Sequence, residues 1–266
     1  MKGAPGLVAT VTLSFIVGAC AAATAPTPLA TLAPAPTLSA TPTQGSAPTP
    51  SSTALIQDMM AFEPLGPIGA GTYFIDPDGD PSTPLRVVYD IPADGWSMWI
   101  GGAKFSDAGH VGFSITTVAN LVTDGCKDHA WANPPVGPSI DDLVVAMTKL
   151  APFEVTSPPS DVTAYGYSGK HLEWTVPDLP VEGPVDERHF IQCDEVKLKS
   201  WVAFIDTSEP GDAFYGYNAE PGRTEEFRIL DVDGTRLMIE ANWSPASPGK
   251  DVAEMRAILD SIRIEP

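Results

Sequence analysis

The chain has 266 residues, 43% of them hydrophobic, and sets 15 Lys and Arg against 34 Asp and Glu for a formal net charge of −19. So acidic a protein repels phosphate backbones and anionic headgroups, which argues against nucleic-acid binding and against direct electrostatic adhesion to a membrane. The same charge would draw cations, although solubility is its plainer purpose.

Residues 1–19 follow the grammar of a secretory signal peptide: Lys2 as a thin positive start, an apolar stretch from Leu7 to Val17, then small residues. The apolar stretch is too short to persist as a membrane-spanning helix. Val17-Gly18-Ala19-Cys20 resembles a bacterial lipobox, in which the cysteine thiol takes a diacylglycerol before cleavage. The resemblance implies that Cys20 becomes the lipidated first residue and ties the protein to the bacterial cell membrane, facing outside the cytoplasm. Cleavage after Ala23, which would discard Cys20, is the competing reading. Residues 20–53 then read as a tether, almost wholly Ala, Thr, Pro and Ser with no charge and no aromatic ring. Such a composition cannot offset its conformational entropy by burial. We expect a disordered spacer of polyproline character reaching at most ~100 Å. Its Thr-Pro richness suits O-glycosylation, and a passive linker without sugars is equally compatible.

Residues 54–266 hold enough Val, Ile, Leu and Trp for a sizeable core, and we read them as one globular extracytoplasmic domain. Short runs rich in β-branched and aromatic residues predict strands over 72–75, 85–91, 96–105 and 110–118. In "SIDDLVVAMTKL" Ser139 can cap a helix with Asp142 three residues on, and Ile140, Leu143, Val144, Met147 and Leu150 form one apolar face. Further strands are predicted over 171–176, 200–205, 226–232 and 235–242, the last two joined by a tight turn at Asp233-Gly234. A second helix is predicted within "SPGKDVAEMRAILDSIRI", where Val252, Met255, Ile258, Leu259 and Ile262 recur at helical spacing. The fold class is therefore α+β, mainly antiparallel β-sheet with two amphipathic helices packed on it.

The segments "GTYFIDP" through "LRVVYDIPADGW", "SIDDLVVAM", "DVTAYGYSGKHLEWTVP", "FIQCDE" and "ILDVDGTRLMIEA" followed by "EMRAILDSIRIEP" resemble a group of uncharacterised exported bacterial proteins. The order of elements, with a closing helix before a terminal "SIRIE" strand, also resembles the Mog1/PsbP-type α/β/α sandwich. Neither resemblance implies a catalytic residue.

Two cysteines remain in the domain, Cys126 and Cys193. In an exported chain the default is a disulfide between them. Closing that 67-residue loop stabilises a fold by roughly 4 kcal/mol in the chain-entropy model. The alternatives are two free thiols, or zinc, because His129 follows Cys126 at C-x2-H spacing and His189 precedes Cys193 at H-x3-C spacing. Oxidation of the thiols outside the cytoplasm argues for the disulfide, so we assign no metal and no cofactor.

Other constellations fail as catalytic templates. Asp76, Asp78 and Asp80 are spaced like the start of a calcium loop, yet Gly79 stands at the fourth position and Val87 where the bidentate Glu belongs, so a hairpin turn is the better reading. Ser168 in "GYSGKH" lacks the strand-turn-helix setting of a nucleophile elbow. The aromatic residues are the remaining signal. Tyr165 with Tyr167, and Tyr215 with Tyr217, alternate with glycine and would each share one face of a strand. Together with Trp96 and Trp99, and with Trp131, Trp174, Trp201 and Trp243 in reserve, they could build a stacking surface for sugars or small apolar ligands, although core packing is the commoner use of such rings. These observations favour a non-catalytic, lipid-anchored module that binds a small-molecule ligand or an envelope protein. The alternative is a cell-envelope hydrolase with an unrecognised acidic site.

Overall fold

The computed structural model describes residues 55–80, 82–183, 189–203, 215–218 and 220–265, with side chains at all of these except 202, 203 and 215–218. The chain divides into two units, Met1–Pro50 and Ser51–Pro266, and all the described residues belong to the second. The signal peptide, Cys20 and the tether lie outside the described residues.

Seventeen strands and two α-helices appear among the described residues, in mainly antiparallel α+β architecture. A small four-stranded sheet joins β1 (Gln57–Asp58), β3 (Gly71–Ile75), β4 (Arg86–Ile91) and β17 (Arg263–Glu265) in that order. The large sheet runs β2 (Pro67–Ile68), β5 (Trp96–Trp99), β6 (Gly101–Ser106), β7 (Gly109–Asp124), β16 (Thr235–Trp243), β15 (Thr224–Val232), β10 (Tyr167–Thr175), β9 (Glu154–Ala164). The distal half of β7 pairs with β8 (Asp128–Trp131) and with β13 (Leu198–Ala203), which in turn pairs with β14 (Tyr215–Asn218). β11 (Val181–Glu182) and β12 (His189–Phe190) make a separate ribbon.

Where the structure departs from the sequence expectation, a local cause is visible. The predicted strand 96–105 is two strands, β5 and β6, which reverse at Ile100-Gly101 so that Trp99 pairs with Gly101. A Cβ on Gly101 would stand 2.3 Å from the Phe113 carbonyl oxygen, so only glycine permits the reversal. β9 escapes prediction because "EVTSPPSDVTA" carries Pro158 and Pro159, and the sheet accommodates it only as an edge strand with irregular register against β10. Asp233 and Gly234 have φ of 51° and 90°, the primed turn expected of Asp-Gly.

Residues opposed in an antiparallel pair point to the same side, so the registers sort the large sheet into two faces. Lys104, Val111, Trp243 and Thr224 fall in one row, and Gly102, Phe113, Ala241 and Glu226 in the next. This face carries α2 (Gly249–Asp260): Lys104 pairs with Asp251 and Glu254 at 3.0 and 2.6 Å, and Arg256 pairs with Glu226 while lying 4.6 Å over the Trp243 ring. The small sheet packs there too, through Tyr89 edge-on to Phe113 at 5.2 Å. At the end of α2 the Ser261 hydroxyl accepts from the Asp90 amide at 2.9 Å and fixes the helix to β4.

The opposite face carries α1 (Ile140–Met147), which opens with the predicted capping box: Ser139 Oγ accepts from the Asp142 amide at 3.0 Å and Asp142 Oδ2 accepts from the Ser139 amide at 3.2 Å. Leu143, Val144 and Met147 are buried, each worth roughly 1.5–3 kcal/mol relative to exposure. Arg236, on the same face, donates to the Gly137, Ser139 and Val118 carbonyls at 2.6, 3.0 and 2.9 Å and locks the helix start to the sheet. The two helices thus cover opposite faces of one sheet.

Cys126 and Cys193 form the expected disulfide. Both thiols are consumed, which removes the thiolate zinc reading, and His129 turns its Nε2 to the Gly125 carbonyl at 2.9 Å instead. The bridge closes a small satellite core of Val176, Phe190 and Leu198. Backbone bonds from Asp194 to Cys126 and from Lys199 to Gly125 hold the same two segments, so the bridge reinforces an existing junction. The Asp76 to Asp80 stretch belongs to the β3–β4 hairpin loop, where Asp78 and Asp80 spend their carboxylates on Ser82, Thr83 and local amides. Among the described residues no helix is long and apolar enough to cross a membrane.

Candidate functional site

On the α1 face, beyond the helix, the large sheet carries polar residues where a covered face would ordinarily be apolar. Register places Gly112, Asn242 and Glu225 in one row and Ser114 and Glu240 in the next, with His110 one step further along β7. Trp201 of β13 and Arg223, just before β15, close over them. Between these groups lies a cavity of about 210 Å³, walled on its polar side by His110, Ser114, Arg223, Glu240 and Asn242, and by Trp99, Phe105 and Trp201 on its aromatic side. Gly112 supplies the room: a Cβ there would stand 3.1 Å from Asn242 Oδ1.

The polar groups form a connected chain. Trp174 Nε1 donates to Glu225 Oε2 at 2.5 Å, the other Glu225 oxygen pairs with the Arg223 guanidinium, and Arg223 donates to His110 Nε2 at 2.9 Å. Since Nε2 accepts, the His110 proton sits on Nδ1, facing Glu220 at 3.5 Å. Asn242 Nδ2 donates to Glu240 Oε1 at 2.9 Å, while Asn242 Oδ1, in a side chain only 7% exposed, accepts nothing among the described residues. Trp201 turns its indole N–H toward Glu240 without completing a hydrogen bond.

Burial decides the protonation states. Glu240 is 3% exposed; desolvation, with the like charge of Glu225, pushes its carboxyl up to about 8 against the pull of Arg223, Asn242 and Trp201. It is therefore a neutral acid at pH 7, donor and acceptor at once. Burial likewise pushes the His110 imidazole below its ordinary value, against the Glu220 contact and with the Arg223 charge, so it stays neutral.

Of the aromatic residues singled out from sequence, Trp99 and Trp201 line this cavity. Trp96 is 1% exposed on the opposite face, edge-on to Phe113 at 5.8 Å, and belongs to the core. Tyr165 and Gly166 are the two turn residues of the β9–β10 hairpin, with φ of 53° and 90°, so Tyr165 does not share a strand face with Tyr167 as the alternation suggested. Both rings are partly buried against the core. Four strands separate β5 from β10, about 24 Å at ~4.8 Å per step, so Trp99 and this tyrosine pair make no common surface. The Tyr215 and Tyr217 side chains lie outside the described residues. The cavity's polar residues escaped sequence reasoning, although a signal exists: in "RLMIEANW" the Leu, Ile and Ala positions alternate with Met238, Glu240 and Asn242, and both sets are buried.

A wider groove of about 490 Å³ lies beside the start of α1. Its charges are already engaged, Lys170 with Asp141 and Asp161 and Arg236 with three carbonyls. No family model matches the chain, and no curated protein matches it. Among solved structures it is similar to the crystal structure of LpqN, involved in cell envelope biogenesis of Mycobacterium tuberculosis, at 11% identity and a TM-score of 0.36, over 71% of this chain and 87% of that one.

Proposed function

We propose that the protein is an exported, lipid-anchored bacterial module that holds a small molecule in the cavity between β5, β6, β7 and β16 and performs no chemistry on it. The observation that carries this reading is the pairing of a neutral, buried Glu240 and an unsatisfied Asn242 Oδ1 with aromatic residues around one cavity. Groups so placed fix the orientation of a guest through hydrogen bonds.

A hydrolytic reading has one observation in its favour, an acid kept protonated at neutral pH. Among the described residues it lacks the partner such an acid needs. Glu240 is the one carboxylate among the described residues lining the cavity. Ser114 and His110 stand four residues apart on one face of β7, about 13 Å at ~3.3 Å per residue, too far for a nucleophile and its base.

Titrating the protein with small polyols, primary amides and amines, with Trp fluorescence as the reporter, is expected to give a saturable change for one class. That change should vanish in Ser114→Leu, which fills the cavity, while the melting temperature persists. A Ser114→Leu response equal to that of the parent would remove the cavity from the reading. For the anchor, the full chain expressed in a bacterium is expected to partition into Triton X-114, and Cys20→Ser into the aqueous phase. Equal partitioning of the two would leave Cys20 without a lipid.

A further inference from the structure

Among the described residues, acidic groups outnumber basic ones around the cavity. Among the described residues, three buried carboxyl groups, Glu220, Glu225 and Glu240, face one guanidinium, Arg223, and one neutral imidazole, His110. Arg223 is committed, to Glu225 on one side and to His110 Nε2 on the other. Glu220 faces the His110 Nδ1. Glu240 is left with the Asn242 amide as its hydrogen-bond donor and, among the described residues, with no ion pair of its own. Asn242 Oδ1, buried in the same wall, is a second acceptor that receives no donor there. Among the described residues this wall sets two buried acceptors, Glu240 and Asn242 Oδ1, against one N–H donor, the Asn242 amide. The cavity is also lined by Trp99, Phe105 and Trp201, and aromatic rings attract a cation.

We propose that the cavity, whose role as a ligand site rests on the function proposed for the protein, binds a small primary ammonium ion whose N–H groups donate to the Glu240 carboxylate and Asn242 Oδ1 and whose charge lies against the Trp99 and Trp201 rings. A neutral hydroxyl guest would supply the donors but not the charge. The volume, about 210 Å³, equals roughly seven waters at ~30 Å³ each, which limits the guest to a small free amine.

The ligand's arrival changes the protonation of the site. Glu240 meets Ser114 and His110 from β7, Asn242 on its own strand, Glu225 and Arg223 from β15 and its approach, and Trp201 from β13. None of these supplies an uncommitted cation, so the empty site keeps Glu240 protonated, its carboxyl held up near 8 by burial. A bound ammonium stabilises the carboxylate, and the proton leaves Glu240 for solvent while the ammonium keeps its own. Binding near pH 7 therefore releases close to one proton, and affinity rises about tenfold for each pH unit between 6 and 7.5.

The test compares n-butylammonium with its uncharged counterpart 1-butanol by calorimetry on the secreted full chain, with proton release followed by pH-stat in unbuffered solution. The ammonium is expected to bind at least tenfold more tightly than the alcohol, with proton release. Glu240→Gln should lose both the preference and the release. Asn242→Ala, which leaves the carboxyl in place, should weaken the ammonium about tenfold and keep the release, so the outcome does not hang on one variant folding. Equal binding of the two probes, or ammonium binding with neither proton release nor pH dependence, overturns the cation assignment while leaving the cavity a ligand site. Silence of both probes, and of the polyol and amide panel, overturns the cavity reading itself.

Discussion

Glu240→Gln is expected to remove most of the decline in folding stability that the parent shows as pH rises toward 8. The folded carboxyl titrates near 8 and the unfolded one near 4.5, so between these values the native state holds a proton that the unfolded state has given up. Stability contributed by the protonated form is complete below pH 4.5 and is lost progressively as pH climbs through 8, roughly 4 to 5 kcal/mol if the whole shift is expressed. Gln keeps the shape and the neutral charge and has nothing to titrate. His110 acts in the opposite sense: its pKa is lowered in the fold, so its contribution is present above its ordinary value of 6.5 and fades as pH falls below it. Melting curves in phosphate and borate from pH 7 to 8.5 therefore isolate Glu240. The parent curve should fall across that window and the variant should stay nearly level. Parallel curves would mean that Glu240 is ionised in the native cavity.

Arg223→Met should cost about 3 to 5 kcal/mol, because it strands the 1% exposed Glu225 with, among the described residues, the Trp174 indole as its side-chain donor and leaves His110 Nε2 without the guanidinium N–H. Joining it with Glu225→Gln removes the stranded charge and should recover a large part of that loss. Urea unfolding of the two single variants and the double variant gives the coupling energy directly. A single-variant loss under 1 kcal/mol, or strict additivity, would show that the pair is already solvated.

The framework was legible because local chemistry dictated it. Ser139 with Asp142 marked the first helix, Asp233-Gly234 the turn between β15 and β16, and the recurrence of Met255, Ile258 and Leu259 the second helix. Cys126 and Cys193 form the disulfide that the sequence led us to expect. The cavity was not legible, since what makes Glu240 and Asn242 unusual is the layer above them. Trp201 and Phe105 reach the cavity from distant parts of the chain, and without them "RLMIEANW" reads as an amphipathic strand with Glu240 and Asn242 in water. The split of 96–105 could have been read, as "IGG" is a turn signal inside an otherwise strand-like run. Ser168 sits in β10, outside any strand-turn-helix elbow, next to Gly169, whose Cβ would stand 2.1 Å from the Ile229 carbonyl oxygen.

The proline pair in β9 has a consequence for how many copies can share a surface. β9 is the last strand of its sheet, mostly exposed, and Pro158 and Pro159 present no N–H to a passing chain. A neighbour that tried to extend the ladder would meet the proline pair and the register irregularity around it, with charged Glu154 and Asp161 on either side. Crowded molecules can therefore collide along this border without zipping into a continuous sheet, and the same residues that hid the strand from sequence reasoning keep the protein from polymerising through it.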